Sequence, residues 1–229
     1  MNRMLEVCLA GLILVAGLMV ANTAAAQTLQ QGISVVMAKT QNASPMPEAD
    51  NADAWIVAVT PNGDLFFGLE PVTPERLLDA MKSRPRNRQA KLYIKADARA
   101  PFRTVEKILE VGRTVFFEAL VLLTSQPEQA APGTIVPPKG LEVTLGTPPE
   151  GAIAVQVLNS GGPKPAVLVN KADVSIDVLQ DTLGRMLQNR NERLVVVKAS
   201  GALSFAQVAH VIDACRGAGA KVAVDTTEP

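Results

Sequence analysis

Leu92-Tyr93-Ile94-Lys95-Ala96-Asp97 and Val195-Val196-Val197-Lys198-Ala199-Ser200 are the two stretches on which the fold turns. Each is a short apolar run that reads as a strand. The second stands 103 residues after the first. At the same offset, with no gap, Phe102 falls over Phe205, Val105 over Val208, Arg113 over Arg216, Val121 over Val224 and Thr124 over Thr227. With one residue of slippage upstream, Thr73 falls over Ser175, Asp79 over Asp181, and Asn87-Arg88 over Asn189-Arg190. Strand, helix and strand kept in one register predict an internal duplication.

Working outward, each half carries the same plan. Apolar segments Trp55 to Thr60 and Leu65 to Leu69 flank Pro61-Asn62-Gly63-Asp64, which has the chemistry of a hairpin turn. Thr73 and Pro74 open a helix, as cap and first residue, with Leu77, Leu78 and Met81 inward. A strand over Lys91 to Lys95, a helix over Pro101 to Phe116 and a strand over Ala119 to Leu123 follow. In the second half the hairpin is Ile153 to Leu158 and Ala166 to Asn170 around Gly161-Gly162-Pro163. Ser175 caps a helix that ends near Gln188, and Leu194 to Lys198, Ser204 to Gly217 and Lys221 to Val224 complete the set. Leu141 to Leu145 adds a strand of its own. The expected fold is α+β: two tandem small domains, each a β-β-α-β-α-β sheet with two helices on one face, after an N-terminal hydrophobic segment. The boundaries read as 1–26 leader, 27–53 flexible spacer, 54–125 first domain, 126–140 connector and 141–229 second domain. Gln, Asn, Ala, Ser and Pro dominate the spacer, and Pro127, Pro132, Pro137 and Pro138 keep the connector from being helical.

The leader has Arg3 ahead of an apolar run of 15 residues, Val7 to Ala21. A membrane span needs about 20. Ala24-Ala25-Ala26 before Gln27 reads as a signal cleavage site. An uncleaved anchor over Val7 to Ala26 is the other open reading, because no charge occurs between Glu6 and Lys39. Either way the bulk of the chain leaves the cytoplasm, with Arg3 kept inside.

Composition narrows the function. The 229 residues include 22 basic and 22 acidic side chains, so nothing drives the chain as a whole toward nucleic acid. Hydrophobic residues at 48% and charged residues at 19% exclude a disordered tail protein. One His and two Cys fall short of an ordinary zinc site, and with Cys8 in the leader a disulfide framework is excluded. No nucleophile–base set and no phosphate loop is present, and no cofactor is implied.

Tyr93-Ile94-Lys95-Ala96-Asp97, followed by Pro101-Phe102 and Val105, resembles the periplasmic domain of the ExbD/TolR family of biopolymer-transport proteins. Asn62-Gly63-Asp64-Leu65 and Glu70-Pro71-Val72-Thr73 match its opening hairpin and helix start. Ala218-Gly219-Ala220-Lys221-Val222-Ala223-Val224 matches its closing segment in the second half. The resemblance covers 54–125 well and 141–227 more weakly. It implies a non-enzymatic inner-membrane protein that partners an ExbB/TolQ-like membrane subunit and a TonB/TolA-like protein in a proton-driven motor. Two departures stand out. The family's membrane helix carries an essential aspartate, and no Asp occurs between Met1 and Ala49. Family members also have one periplasmic domain and work as dimers, which two domains in tandem would mimic as a pseudo-dimer within one chain. The chain therefore reads as a divergent or accessory member, cargo unspecified. The alternative is a secreted periplasmic binding module for cell-wall polymer (peptidoglycan) or an envelope protein.

The candidate partner-binding residues are Asp97, Arg84, Arg86, Arg88 and Lys91. Asp97 ends its strand before a helix, and its plainer role is to accept backbone N–H bonds, which Ser200 at the repeated position can also do. Lys82, Arg84, Arg86, Arg88, Lys91 and Lys95 place six positive charges between Ala80 and Ala96 without an acid. Such a patch suits an anionic polymer or an acidic partner, and its plainer reading is a solvated loop. Cys215 shares a helix face with Phe205, Val208 and Ile212 and reads as a buried thiol. His210 reads as a surface residue, Trp55 as core, and Gly161-Gly162 as a turn.

Overall fold

The computed structural model describes residues 31–85, 89–117, 119–126 and 137–227. Among these, twelve strands form a continuous mixed sheet, accompanied by four α-helices. A two-residue strand β1 (Ser44–Pro45) comes first. The first half then supplies β2 (Trp55–Val59), β3 (Leu65–Phe67), β4 (Glu70–Val72), α1 (Pro74–Ser83), β5 (Lys91–Ala96), α2 (Phe102–Thr114) and β6 (Ala119–Thr124). After β7 (Lys139–Leu145) the second half supplies β8 (Ile153–Leu158), β9 (Ala166–Val169), β10 (Ala172–Asp173), α3 (Leu179–Leu187), β11 (Leu194–Ala199), α4 (Phe205–Gly217) and β12 (Lys221–Val224).

Local sequence explains the elements. Gly63 turns the β2–β3 hairpin at φ 91°, a conformation open to glycine, and the Thr60 N–H closes the loop on the Asp64 carbonyl at 3.0 Å. Pro74 opens α1, and the Thr73 carbonyl accepts from Leu77. Ser204 and Gln207 cap α4 reciprocally, each side chain bonding the other's backbone. Ser175 accepts from the Asp177 N–H, but what it opens is a short 3₁₀ turn, with α3 starting at Leu179.

The strand order is β10-β9-β8-β11-β12-β7-β6-β5-β2-β3-β4. Read from either end toward β7, both halves follow one sequence: hairpin pair, first strand, middle strand, last strand. The halves do not form two sheets joined by a linker, as expected from sequence. β7 stands between them, antiparallel to β6 and parallel to β12. Its first residues, Lys139 and Gly140, fall in the stretch read as connector; residues 127–136 of that stretch lie outside the described ones. Because β7 pairs oppositely with its neighbours, the strands of the two halves run in opposite senses.

Strand alternation sorts the side chains by face. Trp55, Val57, Leu92, Ile94, Leu120 and Leu122 join one core with the inward faces of the helices, together with Val155, Val195, Val197 and Val222 of the second half. On the opposite face Ile56, Tyr93, Val121 and Leu123 meet Met46 and Ala49. This second layer corrects the flexible-spacer reading over its described part, 31–53. Ala38, Thr40, Met46 and Ala49 are buried, and Ser44–Pro45 pairs with Gly140 and Lys139. The segment's scattered apolar residues suffice to seal one sheet face, while Pro and Asn only shape its path. Its two-residue strand β1 pairs with the chain's own β7.

The halves also meet at their helix starts. Phe102 N–H donates to the Leu203 carbonyl at 2.8 Å, and Phe205 N–H to the Ala100 carbonyl at 2.8 Å. Arg103 N–H donates to Gly201 at 3.2 Å, and Ala206 N–H to Ala98 at 2.9 Å. Adding 103 to the first-half residue of one bond and subtracting 103 from its second-half residue yields the partner bond. That reciprocity is the signature of a two-fold, self-complementary contact.

Candidate partner-binding surface

Asp97 lies just past β5 and is 2% exposed. Its carboxylate accepts the Val36 N–H at 3.1 Å, the Arg99 N–H at 3.0 Å and the Arg99 Nε at 2.9 Å. The Arg99 guanidinium, aided by the Arg99 and Val36 N–H groups, holds its pKa below the ordinary carboxylate value. Ser200 Oγ accepts from Ala202, two residues on, as Asp97 accepts from Arg99. The two side chains therefore do the same turn-forming work, and Asp97 additionally fastens the N-terminal segment. That segment continues past Ser125, whose N–H and carbonyl bond Ala38 and Thr40. It then reaches α4, where Asp213 accepts the N–H groups of Gln41 (2.9 Å) and Asn42 (2.8 Å). Nothing in the sequence singled out Asp213.

The basic cluster is divided by the fold. Arg84 stacks on Trp55, its guanidinium 4.7 Å from the ring centroid, and donates to the Asp53 carbonyl at 2.9 Å. Lys95 is buried on the segment-covered face, donating to the Gln31 carbonyl at 3.1 Å. Burial lowers its pKa and raises that of Asp50, one carboxylate oxygen of which has no hydrogen-bond partner. Lys91 is half-buried at the start of β5, and Lys82 is exposed. Arg86 and Arg88 lie outside the described residues. Lys95 therefore lies apart from Arg84, on the opposite face of the sheet.

The remaining candidates take their plainer roles. Cys215 is fully buried, and burial pushes its thiol up to about 12. His210 is exposed. Trp55 is buried between Phe67 and Phe117, ring centroids 5.5 and 5.3 Å away. Gly161 sits at φ 73° in the β8–β9 loop, its N–H on the Asn159 side chain. An open groove of about 970 Å³ runs between β3–β4 and α1, lined in part by Leu65, Phe67, Val72, Arg76 and Asp79. Its counterpart in the second half measures about 280 Å³.

Sequence reasoning also passed over Leu69 and Phe116, which are 72% and 83% exposed. The signal was available: at the offset of 103, Phe116 falls over Gly219. Both hold positive φ, at 60° and 81°.

These features define a repeated α+β protein whose singled-out polar residues mostly organise its own backbone and whose bare apolar side chains lie at its margins. Residues 10–127, more than half of the chain, match the family described as Biopolymer transport protein ExbD/TolR. The chain belongs to that family. No curated protein and no solved structure matches it. No helix among the described residues is long and apolar enough to cross a membrane; the apolar run Val7 to Ala21 lies outside them.

Proposed function

We propose that the chain is a non-enzymatic envelope component of proton-driven transport, acting by contact with an ExbB/TolQ-like membrane subunit and a TonB/TolA-like protein. The match over residues 10–127 carries this reading, since it takes in most of the apolar run and the first half. The bulk of the chain is periplasmic, held by its N-terminal segment or freed by cleavage after Ala26. Lacking an Asp before Asp50, it serves the motor in an accessory role instead of carrying the proton. The second half is a diverged copy of the first, and the reciprocal bonds between 98–103 and 201–206 support a pseudo-dimer within one chain.

Recovery of the tagged full chain from crosslinked envelopes of its host tests this. The expected result is a polytopic membrane subunit of the ExbB/TolQ type among the crosslinked products, with one copy of this chain per complex position where other members supply two. Crosslinked products containing only this chain would refute the partner assignment. Binding to cell-wall polymer through the basic patch is less supported, because Arg84 and Lys95 are occupied within the fold.

A further inference from the structure

Trp55 marks one end of the first half, where β2, β5 and β6 begin. Leu69 follows Phe67 by two residues and Phe116 precedes Phe117, so both flank rings that touch Trp55. Neither is covered. Phe116 also holds a backbone conformation that disfavours any side chain, at the position where the second half places Gly219. Neither backbone preference nor burial explains a phenylalanine there.

The surroundings are cationic. Lys82 and Arg113, in the last turns of α1 and α2, are exposed, and Lys91 is half-buried. Asp53, Glu70 and Glu118 are the acids nearest them in sequence, the last outside the described residues. The chain also enters the described structure here. Gly32 packs against Gly68, the neighbour of Leu69, so closely that a Cβ on it would stand 3.3 Å from the Gly68 carbonyl. Gln31 stands ten positions after Ala21, the last of the apolar run, a reach of at most about 35 Å.

We infer that this end of the first half rests on an anionic phospholipid surface, with Leu69 and Phe116 entering the headgroup layer and Lys82, Lys91 and Arg113 facing lipid phosphates. Aromatic and aliphatic tips ringed by cations suit that boundary. A second copy of the chain fits less well, because a two-fold contact would set Lys82 and Arg113 against their own counterparts. The corresponding end of the second half carries Gly219, Asn170 and Lys171 and points the opposite way, since β12 runs opposite to β6. Only one end of the repeat is equipped for lipid. The inference does not depend on the transport partners.

The test uses the full chain with Cys8→Ser, which leaves the buried Cys215 as the native thiol. A fluorophore on Gln89→Cys reports beside the patch, and one on Val178→Cys reports from the second half. The chain is placed in vesicles of phosphatidylethanolamine and phosphatidylglycerol containing nitroxide-labelled lipid. Strong quenching at position 89 and weak quenching at 178 is expected. Lys82→Gln and Arg113→Gln should each weaken the docked state about fivefold, and Phe116→Asp should abolish it. Equal quenching at both positions, or quenching at 89 that survives Phe116→Asp, overturns the inference. So does shielding at 89 that depends on protein concentration and not on phosphatidylglycerol, which would assign the face to a second copy.

Discussion

Replacing Phe116 by Gly and, separately, by Ala gives a test in which the expected order is the reverse of the usual one. In a helix interior, Gly is about 1 kcal/mol worse than Ala. Phe116 instead sits past the end of α2 at φ 60°. There the Cβ of Ala costs about 1–2 kcal/mol, while Gly carries only the extra freedom of its unfolded chain, about 0.5–1 kcal/mol. Both variants lose the same ring, which is 83% exposed, so its small buried fraction cancels between them. Phe116→Gly should therefore be more stable than Phe116→Ala by about 0.5–1 kcal/mol. Equilibrium urea titration of the full chain in a non-ionic detergent gives the comparison. Trp55 is the only tryptophan, and its emission reports unfolding. Gly219→Ala should lose a comparable amount, since Gly219 holds φ 81° and the nearest obstacle to a Cβ is an Arg193 side chain. Equal stability of the Phe116→Ala and Phe116→Gly variants would show that the site is not strained. The main reason for seeking a function in Phe116 would then be gone.

Three further outcomes follow. Gly140→Ala sets a Cβ against Val121 and 3.2 Å from Met46 Cγ, so it should cost about 1–3 kcal/mol and speed proteolysis near residue 46; an unchanged urea midpoint contradicts the packing of β7 under the N-terminal segment. The Asp97 pKa is depressed, so its stabilisation is present above the unfolded value of about 3.9 and lost as pH falls through the folded one. Asp97→Asn should flatten the acid limb of a melting-temperature profile, and an unaltered limb argues against the Arg99 and Val36 bonds. Glu106 is pushed up to about 7, first by burial and then by Glu110, so the folded state holds its proton longer than the unfolded chain. Stability should fall as pH rises from the unfolded value, about 4.3, to about 7 and then level off. Glu106→Gln should accordingly melt higher than the native chain at pH 8 and gain nothing at pH 4; a gain of the same size at both values excludes titration as the cause.

The repeat and most element bounds were legible because they rest on local patterns. Phe102, Val105, Ile108 and Leu109 are spaced for one helix face, and all four are buried. Asn62-Gly63-Asp64 has turn chemistry, and the chain turns there. What stayed hidden depends on contacts distant in sequence. Leu141 to Leu145 looked like a strand, but no local property says that it pairs with β6 on one side and, through the longer β7, with β12 and β1 on the other. Residues 31–53 look like a spacer because their apolar residues follow no period. They are ordered by remote partners: Asp97, Ser125 and Asp213 hold the backbone, and Ile56, Tyr93 and Val121 receive Met46 and Ala49. The basic run is a related case. Counting charges along the chain could not show that Arg84 turns onto Trp55 while Lys95 alternates to the opposite sheet face.

Positions that the repeat superposes offer a finer guide to function than residue type does. A side chain needed only for the shared fold should be replaced by one with the same physical task. Asp97 and Ser200 meet that expectation, each accepting an N–H two residues ahead, so Asp97 reads as structural although a carboxylate at a strand end looks functional. Cys215 falls over Gly112, whose Cβ would collide with Leu120 and Leu92; both reflect core volume. Phe116 and Gly219 do not meet it. The shared backbone conformation favours Gly, the second half has Gly, and the first half instead holds a large apolar side chain in solvent. Glu106 over Ala209 is a second such departure: the Ala is fully buried, while the Glu keeps a carboxylate against Gly201 of the other half, 3.2 Å from where a Cβ there would lie. The two departures differ in kind. Glu106 faces the contact between the halves, where a charge can tune how they fit together. Phe116 faces away from both, toward whatever lies outside the chain, which makes it the better place to look for a partner.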